Sequence, residues 1–307
     1  MRRLALLAFI WGWSFLFIKV AVEGMTPSTV AWARVTLGAL VLQLLLRRRR
    51  HAARTGIDAL QVRNFAFVAL AGSVVPFTLL AWGEQHITSA LTAVLNASTP
   101  LFTALFAAVV GLERLRPAQL LGLGVGLSGV AIAAGLGTAD LAGSSLAGTV
   151  AAVGAACCYG VAFVFTRRHL TGIPPLRAAA GQLTAAAVIL APFALVTSAR
   201  EGVALTPTRI AAITILGAVG TGIAYVLNYG LIGELGATKA SLVTYLIPVI
   251  AVVVGIVVLG EPFEWRLILG GIITIGGIAA VTAGRRTPSP EPTGAGAAAT
   301  AGAGARV

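Results

Sequence analysis

The chain has 307 residues, of which 58% are hydrophobic and only 10% are charged, and its mean hydropathy is +0.94. This composition excludes a soluble globular domain, because apolar runs of about twenty residues recur from end to end. The formal net charge of +12 would suggest a nucleic-acid partner in a soluble protein. Here the arginines cluster at the ends of the apolar runs, so membrane lipid is the expected partner and nucleic acid is not.

Ten apolar segments follow one another, each near the ~20 residues that a helix needs to cross a bilayer. They cover residues 4–22, 28–46, 64–82, 89–110, 117–136, 146–166, 175–197, 209–231, 237–259 and 265–283. Because a backbone in lipid must form its hydrogen bonds internally, these segments are predicted to be helices and not strands. The sequence therefore predicts an all-α membrane protein with ten transmembrane helices and a disordered tail over 285–307.

Positively charged residues predict the orientation, since cytoplasmic loops carry an excess of Lys and Arg. If the N-terminus is cytoplasmic, the outer loops hold only Arg200, Arg209 and Arg266, and the largest basic block, Arg47–Arg50, lies inside. Both termini are then cytoplasmic, including the tail. We expect a multi-pass protein of a bacterial inner or plasma membrane.

A repeat with a shift of 148 residues divides the chain in two. Pairs at this shift are Trp11 and Tyr159, Gly72 and Gly220, Pro100 and Pro248, and Glu113 and Glu261. The pattern predicts one unit over 1–145 and a second over 146–284. Each unit has five crossings, an odd number, so the second is predicted to be inverted. Inverted repeats are a common plan of secondary transporters, with the substrate site near the midplane between the halves.

Three ordered motifs carry a family resemblance. They are WGWSFLFIKV at 11–20, TSALTAVLNASTPLFTALFAAVVGLERL at 88–115, and ATKASLVTYLIPVIAVVVGIVVLGEPFEWRLILGGIITIGGIAAV at 237–281. Over residues 5–284 the sequence resembles the drug/metabolite transporter superfamily, EamA type. The resemblance implies ten helices in two inverted five-helix halves that move small metabolites by alternating access, often outward.

Enzyme chemistry has no support in the sequence. Neither a His-Glu-x-x-His motif, a nucleophile elbow nor a phosphate-binding loop is present, so no cofactor or metal is expected. The two cysteines, Cys157 and Cys158, are adjacent and cannot join distant segments. The competing class is a non-transporting membrane scaffold or subunit, for which a midplane filled by Leu, Val and Phe would be evidence.

Arg34 is the strongest single candidate for a functional residue. It lies within the second segment, ~9 Å below its outer boundary by helix rise, where a charge costs ~2.5–3.5 kcal/mol. It could contact substrate, extend outward to water, or pair with Glu23 or Glu84. Lys19, nearer to a segment end, is expected to extend outward.

Several polar and aromatic side chains near the predicted midplane could hydrogen-bond a solute. In chain order they are Trp11, Ser14, Asn96, Tyr159, Gln182, Tyr225, Asn228, Thr244 and Tyr245. Aromatic faces with a few amides suit a small amphipathic molecule that is amino-acid-like, nucleobase-like or drug-like. The alternative for each residue alone is hydrogen bonding between helices.

Pro100 and Pro248 remove a backbone donor within their segments, so each is a candidate hinge, with a static kink as the alternative. The glycine rows of the fifth segment and of the tenth permit close helix contact, either with each other or across a homodimer. They consist of Gly122, Gly126 and Gly129 and of Gly270, Gly271, Gly276 and Gly277.

The sequence does not specify which gradient would drive transport, because no acidic residue lies in the middle of a segment. Glu23, Glu84, Glu113, Glu234 and Glu261 all lie at segment ends, where helix capping or surface pairing is expected. Without a nucleotide-binding motif, the drive would be a proton or solute gradient, with facilitated diffusion or exchange left open. The leading hypothesis is a secondary transporter that exports small organic metabolites.

Overall fold

The computed structural model describes residues 2–48, 58–112, 115–135 and 144–283, and within these ranges the chain is helical with no strand. The helices are α1 (Arg2–Val22), α2 (Pro27–Arg48), α3 (Ala59–Ala69), α4 (Val75–Gly83), α5 (Ser89–Asn96), α6 (Thr99–Val109), α7 (Pro117–Ala133), α8 (Ser144–His169), α9 (Pro175–Glu201), α10 (Pro207–Gly217), α11 (Ala224–Leu235), α12 (Ala237–Ser241), α13 (Leu246–Leu259) and α14 (Trp265–Ala283). The predicted disordered tail, 285–307, and Glu113 lie outside the described residues.

The ends of these helices follow from local sequence. Pro117, Pro175 and Pro207 each occupy the first helical position, where a missing N–H is tolerated and φ is already helical. The Thr88 hydroxyl accepts a hydrogen bond from the Leu91 main-chain N–H and so caps the start of α5. These signals place most helix starts within two residues of the predicted segment boundaries.

Seven stretches of helix are long and apolar enough to cross a membrane: Arg2–Val22, Pro27–Arg48, Ala59–Gly83, Ser89–Val109, Ser145–His169, Pro175–Glu201 and Pro207–Leu235. Three shorter apolar helices, Pro117–Ala133, Leu246–Leu259 and Trp265–Val281, complete the described set. Leu121, Val188 and Val257 on the outer surface are 73%, 69% and 76% exposed, which suits lipid rather than water. The chain is a multi-pass membrane protein.

Four of the ten predicted segments are not continuous α-helices. The third and eighth each contain one π-helical turn, Leu70–Val74 and Ala218–Ile223, whose starts lie 148 residues apart. The fourth breaks at Ala97 and Ser98, between α5 and α6. In the ninth, α12 passes into the 3-10 turn Leu242–Tyr245 before α13 begins, which explains why α13 is short.

The candidate hinge prolines lie at these breaks. Pro100 is in the first turn of α6 and Pro248 is in the first turn of α13. At such positions the missing N–H removes no interior hydrogen bond. Each proline therefore lies in the first turn of the second piece of a broken helix. The sequence had instead suggested a proline within a continuous helix. Their role as hinges stays a prediction.

The glycine rows bring α7 and α14 into backbone contact within one chain. A Cβ added to Gly270 would lie 2.6 Å from the Gly129 carbonyl oxygen, and a Cβ added to Gly277 would lie 2.6 Å from the Gly122 carbonyl oxygen. Gln119 strengthens the pair, since its side-chain amide donates to the Val281 carbonyl at 2.7 Å. A homodimer through these faces is not needed to explain them, although dimerisation itself stays a prediction.

Two glycines of the tenth segment are not part of this contact. Gly271 and Gly276 have no heavy atom within 4 Å of an added Cβ. The expectation that all four glycines of α14 serve close packing is therefore wrong for these two. Each is adjacent in sequence to a contact glycine but lies on another side of the helix, since successive residues are ~100° apart.

This difference between neighbours gives a test of the α7–α14 contact. Gly277→Ala should lower the apparent melting temperature of the purified protein, because overpacking of a close contact costs about 1–3 kcal/mol. Gly276→Ala is the matched control and should be neutral or slightly stabilising, since alanine favours helix over glycine. Equal effects of the two changes would contradict the described helix contact.

Candidate functional site

The helices surround a central cavity with about 750 Å³ of unfilled volume, part of which is open to solvent. Nine of the ten predicted substrate-binding residues line it: Trp11, Ser14, Arg34, Asn96, Tyr159, Gln182, Tyr225, Asn228 and Thr244. The side chain of the tenth, Tyr245, lies outside the described part of the chain. The cavity is therefore not lined by Leu, Val and Phe alone, whereas a centre filled by such residues would have favoured a scaffold.

Arg34 of α2 is buried in this cavity wall and is only 3% exposed. Its Nε donates to the Thr221 hydroxyl at 3.1 Å, and its guanidinium carbon lies 3.6 Å from the centre of the Phe77 ring. Its terminal nitrogens donate to no described residue. The ring and the hydroxyl thus fix the orientation of the guanidinium and leave its outer donors available.

The structure contradicts two of the three expectations for Arg34. It does not extend outward to water, and it forms no ion pair with a described carboxylate. Glu23, one proposed partner, instead lies 3.6 Å from Arg209. Glu84, the other, exerts electrostatic attraction on Arg34 without direct contact. A buried guanidinium without a counterion at contact distance is costly, and a bound anionic group would compensate it.

Lys19 also differs from its expectation. Its ammonium donates to the main-chain carbonyls of Glu84 and Ile87, at 2.5 and 3.3 Å, so it turns toward the protein and not toward water. Three of the acidic residues at segment ends do pair or cap as predicted: Glu23 with Arg209, Glu234 with Arg3, and Glu261 at the start of α5. Glu84 does not fit this description, because it is fully buried.

Besides Arg34 and Gln182, four of the predicted site residues are already hydrogen-bonded within the protein. The Trp11 indole donates to the Gly220 carbonyl at 3.1 Å, and the Tyr225 hydroxyl donates to the Gly72 carbonyl at 2.6 Å. The Ser14 hydroxyl donates to the Ile10 carbonyl. The Thr244 hydroxyl donates to the Ser241 carbonyl. The polar atoms of these four side chains thus form hydrogen bonds within the helix bundle, which was the alternative to solute binding. The rings of Trp11 and Tyr225 still line the cavity.

The carbonyls of Gly72 and Gly220 both belong to π-helical turns, where the regular helical pairing shifts and carbonyls become accessible. Each turn accepts from an aromatic side chain of the other half of the sequence. The bonds are reciprocal, since α1 donates to the turn before α11 and α11 donates to the turn before α4. The two halves are therefore linked at the level of the cavity.

Gln182 of α9 is the centre of a second buried network. The Tyr229 hydroxyl donates to Gln182 Oε1 at 2.6 Å, and Gln182 Nε2 donates to the Ser73 hydroxyl at 2.9 Å. All polar atoms of this amide side chain have thus at least one partner. Gln182 contributes shape and rigidity to the cavity more than free hydrogen-bonding capacity.

The remaining polar residues of the cavity have unused groups. The side-chain carbonyl oxygens of Asn96 and Asn228 are buried and accept no hydrogen bond from any described residue. The Tyr159 hydroxyl likewise has no described hydrogen-bond partner, although Tyr159 lines the cavity. Unused acceptors in a buried site are costly unless a ligand or water satisfies them. Together with the terminal nitrogens of Arg34, they are the polar groups of the cavity that have no described hydrogen-bond partner.

Sequence reasoning missed several residues that shape this site. Phe77, Thr221 and Tyr229 hold the guanidinium and the buried amide in place. Tyr229 follows Tyr225 by four residues, a helical spacing that could have shown the two on one face. Phe77 and Thr221 carry no such signal, because one is an ordinary apolar residue and the other is a single hydroxyl between glycines.

Comparison with known proteins agrees with this architecture. The sequence profile described as the EamA-like transporter family matches residues 4–135 and again residues 146–283. A crystal structure titled only as that of a protein has a TM-score of 0.65 and 22% identity, covering 91% of this chain and 96% of that one. The structural likeness shows a shared fold.

Curated relatives extend over nearly the whole chain. An uncharacterized transporter YoaV of Bacillus subtilis is 25% identical, covering 88% of this chain and 91% of the relative. A probable terminal-alkyne amino-acid exporter of Streptantibioticus cattleyicolor is 29% identical, with 92% and 94% covered. An uncharacterized transporter of Archaeoglobus fulgidus is 26% identical, with 91% and 96% covered. Because the family profile matches both halves, the chain belongs to the EamA-like transporter family.

Proposed function

We propose that this protein is a secondary transporter that exports small amino-acid-like metabolites and binds them in the central cavity. The observation that carries the proposal is Arg34, a buried residue of the cavity wall whose terminal nitrogens have no described hydrogen-bond partner. A carboxylate presents two acceptor oxygens with the spacing of the guanidinium donors, so it can satisfy two of them at once. The substrate is therefore a small molecule with a carboxylate.

A second set of contacts suits the amino group of the same molecule. The carbonyl oxygens of Asn96 and Asn228 are acceptors without donors, and an ammonium is a donor without acceptors. Trp11, Tyr159 and Tyr225 supply aromatic faces for an apolar side chain. The relative named as a probable terminal-alkyne amino-acid exporter supports this substrate class. Nucleobases and drug-like molecules without a carboxylate would leave Arg34 unsatisfied.

Alternating access between two inverted five-helix units, 1–145 and 146–284, is the proposed mechanism. Support comes from the π-helical turns at matching places in the two units and from the family profile, which matches twice. The breaks before Pro100 and Pro248 are the proposed hinges, because a broken helix can change its angle without losing a continuous hydrogen-bond ladder. In the membrane, both termini are proposed to be cytoplasmic.

Transport is the first test of the proposal. The purified protein in liposomes is loaded with unlabelled propargylglycine, a terminal-alkyne amino acid, and the uptake of labelled propargylglycine, leucine and phenylalanine is measured in exchange. Exchange above that of empty liposomes supports transport. Imposed pH gradients then distinguish proton-driven export from facilitated diffusion or exchange. If the same exchange assay, repeated with nucleobases and sugars, also shows no movement of any solute, the non-transporting scaffold becomes the better account.

Arg34→Gln should reduce exchange of an accepted amino acid by roughly 10- to 100-fold at low substrate concentration, because hydrogen bonds to charged groups contribute about 1.5–3 kcal/mol. Arg34→Lys keeps the charge without the two-pronged geometry and should fall between wild type and Arg34→Gln. The control is Arg168→Gln, which changes an exposed arginine at the end of α8. Unchanged exchange by Arg34→Gln would contradict substrate contact.

The same variant should behave differently in a stability assay. Without substrate, Arg34→Gln is expected to keep or raise the apparent melting temperature, because it removes a buried charge that has no contacting counterion. If Arg34 were structural, loss of its contacts with Thr221 and Phe77 would lower the melting temperature instead. Thermal unfolding of the purified variant, measured beside wild type, separates these two roles.

A further inference from the structure

Glu84 is a buried carboxyl group that substrate binding does not use. It follows α4, and its main-chain N–H donates to the Leu80 carbonyl at 2.9 Å, so the residue is fixed at the helix end. Its exposed fraction is 0%. It lies at what we call the distal face, the end of the bundle where α1 ends and α5 begins, marked by Lys19, Glu84, Ser89 and Glu261.

The two oxygens of Glu84 are unequally satisfied. Oε2 accepts a hydrogen bond from the Ser89 hydroxyl at 3.0 Å. Oε1 is buried and accepts none from any described residue. An ionised carboxylate needs both oxygens solvated, and one hydrogen bond from a neutral hydroxyl does not replace a hydration shell. A neutral carboxyl would require much less solvation.

A second carboxyl group meets the same serine. Glu261, in the turn after α13, accepts from the Ser89 main-chain N–H at 2.7 Å and from the Ala90 main-chain N–H at 3.0 Å. Both of its oxygens are thus paired with donors at the positive end of α5. Glu261 is solvated as an anion by the helix terminus, whereas Glu84, beside it, is not. Unequal surroundings of two neighbouring carboxyls assign the proton to the poorly solvated one.

The charged groups that act on Glu84 come from three other elements. Lys19 of α1 attracts the carboxylate, but its ammonium is hydrogen-bonded to the main-chain carbonyls of Glu84 and Ile87. Arg34 of α2 attracts it from a distance, and Glu261 repels it. His86, on the same turn, is turned to the Trp82 carbonyl.

Burial is the largest of these influences and raises the pKa of Glu84 well above its ordinary value. The Ser89 hydrogen bond and Lys19 oppose the rise in pKa, whereas Glu261 adds to it. The raised pKa of Glu84 agrees with its hydrogen bonding, because both favour the neutral carboxyl group.

We propose that Glu84 is a proton-binding site whose neutral form holds the distal face closed. When this face is closed, as in the structure, the carboxyl carries its proton and shares Ser89 with the Glu261 anion. When the face opens, water reaches Glu84, the O–H bond breaks, and the proton passes to water and leaves a hydrated carboxylate. Opening thus releases one proton, and nothing else is consumed or formed.

The direction of the pH effect follows from linkage. Because the closed state binds the proton more tightly than the open state, low pH favours closure and rising pH favours opening. Between the Glu84 pKa values of the open and closed states, the opening equilibrium should change by up to about tenfold per pH unit. Any coupling of this switch to substrate movement rests on the proposed transport function, but the proton site itself does not.

Hydrogen exchange at the start of α5 measures opening without any substrate. The Ser89 and Ala90 amides are protected by Glu261 while the face is closed. Their exchange is compared from pH 5 to pH 8 in wild type and in Glu84→Gln, which keeps the shape of neutral Glu84 and cannot ionise. Dividing the exchange rate of wild type by that of Glu84→Gln cancels the intrinsic pH dependence of amide exchange.

We expect this ratio to rise with pH, by up to about tenfold per unit, and to reach one at low pH. The matched control Glu23→Gln changes a largely exposed carboxyl near the same face and should retain the wild-type pH dependence. A ratio that does not vary with pH would overturn the proposal.

A second variant keeps the test available if Glu84→Gln does not fold. Ser89→Ala removes the described hydrogen bond to Glu84 Oε2 but leaves the Ser89 main-chain N–H in place. Because that hydrogen bond favours the ionised form of Glu84, its loss should raise the pKa of Glu84 in the closed state. The pH-dependent range of opening should then extend to higher pH. An unchanged pH dependence in Ser89→Ala would overturn the proposal independently, and neither result depends on whether propargylglycine is transported.

Discussion

The buried guanidinium of Arg34 is the constraint on which the arrangement of the cavity depends. A cation that is 3% exposed needs contacts that replace its lost hydration, and the described ones are neutral: the Phe77 ring and the Thr221 hydroxyl. Thr221 lies in a π-helical turn, and its hydroxyl donates its proton to the Leu216 carbonyl. The hydroxyl oxygen can therefore accept the hydrogen bond from Arg34. No described carboxylate forms an ion pair with Arg34, and this is the observation on which the proposed binding of a carboxylate rests.

The irregular backbone of the bundle is concentrated around the same cavity. Two π-helical turns and two helix breaks interrupt four of the segments, and the turns accept hydrogen bonds from Trp11 and Tyr225 of the opposite halves. Non-helical backbone at membrane depth is tolerated where protein or a water-filled cavity satisfies it. The two hydrogen bonds connect the halves of the sequence at the level of the cavity, and the two helix breaks lie beside the same cavity. Glu84 and Glu261 lie at the distal face, away from this connection.

Hydropathy and the 148-residue shift located most of the cavity in advance, because polar residues in apolar segments are conspicuous and equivalent positions in a repeat converge. Arg34 was found in this way. Glu84 was misjudged as a capping or surface residue, since its place at a segment end does not reveal that it is fully buried, with Lys19 of α1 bonded to its main-chain carbonyl. Gly270 could not be distinguished from Gly271, because the facing side of a helix depends on its partner. Phe77 carries no signal in sequence at all.

The most direct test of the account compares binding of propargylglycine with that of but-3-yn-1-amine, which has the same side chain and amine but no carboxylate. Dissociation constants are measured by calorimetry for wild type and Arg34→Gln. Wild type should bind the amino acid at least about tenfold more tightly than the amine, since hydrogen bonds to a charged group contribute about 1.5–3 kcal/mol, and the variant should lose this preference. An equal preference for the carboxylate in both proteins would show that Arg34 is not the anion site and would contradict the central claim.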